Sequence, residues 1–226
     1  GERRLFVGLN LRLLPGELLW LRGDNGRGKT SLLRLLAGLT DPDEGDVHWA
    51  GRRARSADAR AWQPLYVAHA NALKDELTAH EALLFVARTS AQATDASPAA
   101  VDAALDRLGM TRARDAMVRT LTQGQRRRVA LARLAMPTRA RVWLLDEPYD
   151  ALDQASINVL DSVLRHHLQQ GGAVVLTSHQ PLGPEAPAHH EFSLAARGAT
   201  WPAAKGAQSM VDSAVRRIRV RSPSDA

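Results

Sequence analysis

The stretch "ELLWLRGDNGRGKTSLLRLLAGL", residues 17–39, decides the fold. It opens with an apolar run of the kind that makes a strand buried on both faces, and it closes with leucines recurring at steps of three and four, the pattern of a helix with one apolar face. Between them lies "GDNGRGKT". Gly23, Gly26 and Gly28 permit a curled backbone whose successive N–H groups turn inward around phosphates, and Asp24, Asn25, Arg27 and Ser31 complete the loop. Lys29 supplies a mobile cation toward the β- and γ-phosphates, Thr30 offers a hydroxyl to Mg²⁺, and the helix that starts there adds the positive end of its dipole. A glycine turn capping an ordinary helix would need neither the lysine nor the hydroxyl, so the loop predicts binding of a nucleoside triphosphate.

Outward from this loop, strand-like and helix-like segments alternate. "DVHWAG" and "PLYVA" read as short strands, "RVWLLDE" (residues 141–147) and "AVVLTSH" (residues 173–179) as fully buried ones, and residues 154–170 as a helix. From Thr78 the texture becomes Ala-rich, and helices are expected over residues 78–89, 97–108 and 112–118, an insertion of about residues 74–137. Such alternation predicts an α/β fold with a mostly parallel sheet covered by helices.

The totals bound the rest. A chain of 226 residues suits one domain with a sizeable core and an insertion. With 45% hydrophobic and 24% charged residues, neither wholesale disorder nor a membrane protein is suggested, and no apolar run approaches the roughly 18 residues of a spanning helix. The absence of cysteine excludes disulfides, thiolate metal sites and cysteine nucleophiles, and agrees with a cytoplasmic setting. Nothing at Gly1 resembles a signal peptide.

The net charge of +6 is concentrated at the end, where residues 197–226 hold six basic side chains against two acidic ones. A basic tail on a nearly balanced body predicts no nucleic-acid partner. The tail is expected to be disordered and solvated, with residues 210–218 its candidate for a short amphipathic helix.

"WLLDEP" sets Asp146 and Glu147 at the carboxyl end of a strand, where open α/β sheets bind ligands. Asp146 is the expected Mg²⁺ partner, and Glu147 is expected to orient or deprotonate an attacking water, the two roles separating because successive strand residues point opposite ways. His179 closes the next strand and is positioned to hold the γ-phosphate or the water. The pairs His166-His167 and His189-His190 are expected on the solvated surface, since adjacent histidines rarely converge on one ion.

"LTQGQRRRVALARL" poses a second question. Thr122 and Gln125 have capping-box spacing, and "RRR" fits a solvated helix face, but Gly124 weakens a helix unless something approaches its backbone closely. One nucleotide needs no second helix end from its own subunit. Two copies placed head to tail about a two-fold axis would each lend that end to the other's nucleotide, sandwiching two ATP molecules.

The set "GDNGRGKT", "LTQGQ", "WLLDEP", "DALD" and "SH", in this order, resembles the ATP-binding subunit of ABC transporters over nearly everything up to about residue 194. The resemblance implies a P-loop NTPase of RecA-like type with an inserted helical subdomain and an antiparallel β part, an ATP-binding domain of about residues 1–196. It implies an ATPase using ATP and Mg²⁺, with Glu147 as catalytic base and His179 as switch histidine. Residues Thr122, Gln123, Gly124 and Gln125 match the signature motif that binds the opposite subunit's ATP, and Asp153 matches the loop that crosses the dimer. Within the family, "AGLTDPDEGDVHWAG", "ELTAHEAL" and "PYDALD" are similar to the ATPases of haem exporters in cytochrome c maturation. That implies a homodimer bound to integral membrane subunits on the cytoplasmic face of the inner membrane. Three positions depart from the family pattern. Ala70 stands where a magnesium-holding Gln is usual, with Asn71 one place away; Gln123 replaces the first signature glycine; and the adenine-stacking aromatic falls at or before Gly1. The ABC-type ATPase of another small exporter, a soluble ABC ATPase outside transport, or a regulatory nucleotide binder without turnover, is the alternative; a kinase or GTPase would leave "LTQGQ" unexplained.

Overall fold

The computed structural model describes residues 6–49, 52–53, 64–194 and 218–220. Its centre is β2 (Leu18–Arg22), where Leu18, Leu19, Trp20 and Leu21 are all buried, as the unbroken apolar run requires. β2 lies between β7 (Ala173–Thr177) and β8 (His190–Ser193); β7 pairs with β6 (Val142–Leu145), and β6 with β5 (Leu65–Val67). All four pairings are parallel, giving the order β5-β6-β7-β2-β8. Strand alternation sorts the side chains onto two faces. Leu19 and Leu21 join Leu144 and Val175 beneath α1 (Lys29–Leu36), which buries Leu32, Leu33, Leu35 and Leu36 there. Each such leucine is worth about 1.5–3 kcal/mol of burial, which holds the helix, and therefore the loop before it, against the sheet. On the other face Leu18, Trp20, Trp143 and Val174 meet Leu160, Val163 and Leu164 of α5 (Gln154–Gln169).

Between β5 and β6 the chain makes α2 (Ala79–Thr89), α3 (Pro98–Arg107) and α4 (Gln123–Ala132), which pack on one another and share their apolar faces with the second core. Thr78 and Ser97 cap the first two through their side chains. The helix expected over residues 112–118 is absent: two short 3₁₀ turns, Thr111–Ala113 and Val118–Thr120, take its place. The cause is the start of α2, whose Ala79 and His80 N–H groups donate to the carbonyls of Ala116 and Arg114, while Thr78 bridges Met117. Backbone spent on satisfying another helix's end cannot also close its own turns.

Among the described residues the antiparallel part consists of β3 (His48–Trp49) with β4 (Arg52–Arg53), and β1 (Phe6–Leu9) with β9 (Ile218–Val220). Ile218, the last residue of the expected tail helix, is extended in β9, so this piece of the tail departs from the expected disorder. The remainder of the tail lies outside the described residues, as do Ala50 and Gly1. β8 carries almost no sequence signal, since only Phe192 of "HEFS" is buried.

Candidate nucleotide site

The loop between β2 and α1 needs its glycines. Gly26 and Gly28 sit at φ +73° and +93°, where a side chain is strained, and Gly28 is the residue before α1, so that helix starts with no side-chain cap on its N–H groups. Lys29 is 7% exposed and reaches across the loop, its Nζ donating to the Gly23 carbonyl at 2.6 Å. Asp24 and Arg27 face each other at 3.7 Å on the solvent side.

From the opposite side come β6 and β7. Thr30 Oγ1 donates to Asp146 Oδ2 at 2.8 Å, and Thr177 Oγ1 donates to Asp146 Oδ1 at 2.8 Å while accepting the Glu147 N–H at 2.8 Å. The two carboxylates do diverge, but not through strand alternation: β6 ends at Leu145, and Glu147 has turned to φ +49°, a left-handed conformation unusual for glutamate. That turn aims its carboxylate at the end of β7. Glu147 Oε2 accepts the His179 N–H at 2.9 Å, and Oε1 lies 3.3 Å from His179 Nε2. His179 itself is two residues past the strand, its side chain 55% exposed.

These groups enclose one cavity of about 840 Å³. Gly26, Lys29, Thr30 and Ser31 form one wall, and Asp146, Glu147 and His179 the other. The volume falls in the range of nucleotide-sized ligands. Burial, and the nearby Asp146 charge, push the Tyr66 hydroxyl, which also lines the cavity, up to about 12. Thr30 and Asp146 present hard oxygen donors side by side, and a hydroxyl and a carboxylate completed by phosphate oxygens and water suit Mg²⁺, which rarely takes an all-protein cage. Among the described residues no cluster of three or more His, Cys, Asp or Glu offers an alternative metal site.

Residues 122–125 do not line this cavity. They form a complete capping box, Gln125 N donating to Thr122 Oγ1 at 3.2 Å and Thr122 N to Gln125 Oε1 at 2.9 Å. A Cβ on Gly124 would stand 2.7 Å from the Ala151 carbonyl of the same chain. The close neighbour expected at Gly124 is therefore already supplied within the subunit, and the glycine alone does not require an outside phosphate. Asp153 N-caps α5 through a 2.8 Å bond from Ser156 N, and hydrogen bonding from the Ser156 side chain, together with that backbone bond, holds its carboxyl below the usual range.

A family model of the ABC transporter matches residues 6–150. The chain belongs to the ABC transporter family. It is similar to the cytochrome c biogenesis ATP-binding export protein CcmA 2 of Cupriavidus metallidurans, at 48% identity over 82% of this chain and 87% of the relative. It is similar also to CcmA of Dechloromonas aromatica, at 44% identity over 86% of this chain and 94% of that one. Its fold is that of a bacterial ABC transporter cassette solved as a dimer, with TM-score 0.69 and 24% identity over 82% of this chain and 85% of the other. A dimeric cassette in a post-hydrolysis state with ADP and Pi superposes with TM-score 0.66, at 24% identity over 76% of this chain and 78% of that one. As a member of this family the chain binds ATP and is an ATPase.

Two residues at this ABC ATPase's site carry no signal as motif members. Thr177 lies in an apolar strand, where only its position opposite Asp146 marks it. Arg127 belongs to "RRR", expected on a solvated face, yet it is 2% exposed. Its place four residues before the buried Leu131, on the same side of α4, is the pattern that identifies it. Burial lowers its pKa, and the charges of Asp150, Asp146 and Glu147 oppose that. Asn71, adjacent to Ala70, accepts from Arg127 Nη1 at 3.1 Å, so its amide oxygen is engaged away from the cavity that Ala70 lines. The histidine pairs also divide: His167 is stacked on Trp143 at 3.7 Å between ring centres, and burial lowers its pKa to about 4, whereas His166 is exposed. The solvated surface expected for both is wrong for His167, whose place opposite an indole in the core decides otherwise.

Proposed function

We propose that this chain is the ATP-hydrolysing subunit of a membrane exporter acting in cytochrome c biogenesis, in which hydrolysis drives transfer of haem or release of its holder. The supporting observation is the convergence of Lys29, Thr30, Asp146, Glu147 and His179 on one cavity, with the capped end of α4 outside it. Lys29 and the uncapped N–H groups of α1 offset phosphate charge, and Ser31 joins them at the loop's end. Thr30 and Asp146 would hold Mg²⁺, which would supply Lewis-acid stabilisation of phosphate charge there. Glu147 takes a proton from water as its oxygen bonds to the γ-phosphorus. The bond to the β-bridging oxygen breaks with its electron pair leaving on ADP, and His179 holds the water and the carboxylate in register. The subunit works as a homodimer in which the Thr122, Gln123, Gly124 and Gln125 turn of one copy, with Asp153 beside it, closes over the ATP of the other.

The complex sits at the cytoplasmic face of the inner membrane with integral membrane subunits. No helix among the described residues is long and apolar enough to cross a membrane. Glu147→Gln removes the base and keeps the shape. With Mg-ATP it is expected to stop turnover and accumulate as an ATP-bound dimer in sedimentation, and the wild type is expected to copurify with membrane subunits. A variant that stays monomeric with ATP bound, or one that still turns over, refutes the proposal.

A further inference from the structure

The guanidinium of Arg127 is the most heavily engaged buried cation among the described residues. Nη1 donates to the carbonyls of Ala68 at 3.0 Å and His69 at 3.3 Å and to Asn71 Oδ1 at 3.1 Å; Nη2 donates to the carbonyls of Asp146 at 2.9 Å and Glu147 at 2.8 Å. None of these acceptors is a carboxylate. Its Nε finds no acceptor. A buried charge without a direct counter-ion, and with one donor unmet, is a poor device for stability, because an apolar side chain would avoid the desolvation. What it accomplishes is geometric, since a planar fork can grip two segments at once in a fixed orientation.

The two segments are residues 68–71, of which Ala68, His69 and Ala70 line the ATP cavity, and the carbonyls of the acidic pair. Glu147 occupies its strained φ of +49° between two such restraints, its N–H bonded to Thr177 Oγ1 and its carbonyl to Arg127. Strain of that kind persists only where the surroundings over-determine it. Arg127 stands one turn along α4 from Gln123 and Gly124, about 5 Å down the helix axis.

We infer that Arg127 is a positioning residue for hydrolysis, fastening the first turns of α4 to the backbone of Asp146 and Glu147 so that the capped helix end and the carboxylate move as one body. Where that helix end meets a partner's nucleotide, which rests on the function proposed above, its seating is passed to Glu147 through this side chain. Without the grip, Glu147 relaxes from its left-handed turn and its carboxylate leaves His179, while the cradle of residues 23–30, which Arg127 does not touch, is unaffected.

The test uses the full chain carrying Arg127→Lys, which keeps charge and length but cannot span both sets of carbonyls, and Arg127→Met, which keeps bulk alone. Misplacing a catalytic group by an ångström costs on the order of 100-fold. Arg127→Met is expected to lose kcat to that extent and Arg127→Lys to fall between it and the wild type, with ATP affinity within roughly threefold. Amide hydrogen exchange is expected to speed up at residues 147–150 and stay unchanged at residues 23–33, which a general loss of stability would not produce. If Arg127→Met does not fold, the exchange pattern and kcat of Arg127→Lys decide. Wild-type turnover in Arg127→Lys, or equal loss of affinity and protection across both regions, overturns the inference. Failure of the Glu147→Gln variant to dimerise with Arg127 intact would sink the dimer instead, and leaves the kcat and exchange results of the lysine variant to be judged alone.

Discussion

Two helix ends in this molecule are suited to anions, and they are built in opposite ways. α1 begins after a left-handed glycine with no side chain capping it, and its first turn lines the cavity walled by Asp146 and Glu147. α4 begins with a reciprocal capping box that satisfies Gln125 N and Thr122 N within the chain. An end left bare depends on a ligand or water to complete it; a capped end is stable by itself and can wait. On the function proposed above, the first belongs to a resident nucleotide and the second to an occasional one. The same contrast appears in the glycines: Gly28 is required by its own φ, Gly124 by the Ala151 carbonyl against it.

Removing the cation of the bare end should have the largest effect. Lys29→Ala is expected to lower ATPase activity by at least about 10³-fold and to abolish the rise in Tm that Mg-ATP gives the wild type; a nucleotide-dependent Tm shift of normal size would erase the distinction between the ends. Gly124→Ala comes next. Its methyl group must displace backbone rather than a flexible side chain, so activity should fall on the order of 100-fold although alanine favours the helix by about 1 kcal/mol. ATP affinity of the monomer should be unchanged, and weaker binding there would show that the two ends are not separate.

A place remote from both ends supplies a control. His167, with its pKa lowered by burial to about 4 from 6.5, contributes stability that is full above pH 6.5 and is lost as pH falls toward 4. Between pH 7.5 and 5 the wild type should lose about 1–2 kcal/mol more than His167→Phe in urea unfolding, after allowance for solvent screening, with no difference between them in nucleotide affinity. The smallest effect belongs to Thr122→Ala, which removes the cap and should cost about 1 kcal/mol of stability while leaving the bare end's ATP affinity intact.

The parts of this picture governed by local chemistry were visible in the residues themselves. The buried strands Leu18–Arg22 and Ala173–Thr177, the helix Lys29–Leu36 and the Thr122 cap each follow from apolar period or capping chemistry, and they lie where those patterns put them. The parts that escaped are set by distant neighbours. Residues 112–118 form no helix because α2 borrows their carbonyls, β8 exists because β2 offers it a ladder, and Arg127 is buried because loops 59 and 20 residues away supply its acceptors. Glu147 shows the limit most clearly: its importance follows from "WLLDEP", but the left-handed turn that aims it toward His179 is a tertiary fact.

The short link between Glu147 and Asp153 is fastened along its whole length. Arg127 holds its first carbonyl, Tyr149 donates its hydroxyl to Asp161 at 2.6 Å, the Ala151 oxygen rests against Gly124, and Asp153 ties off the far end on α5. Surface connections ordinarily tolerate an added or deleted residue. This one has no slack, so its length is a dimension of the machine, and a single inserted residue would throw the carboxylate, the helix end and the start of α5 out of alignment together.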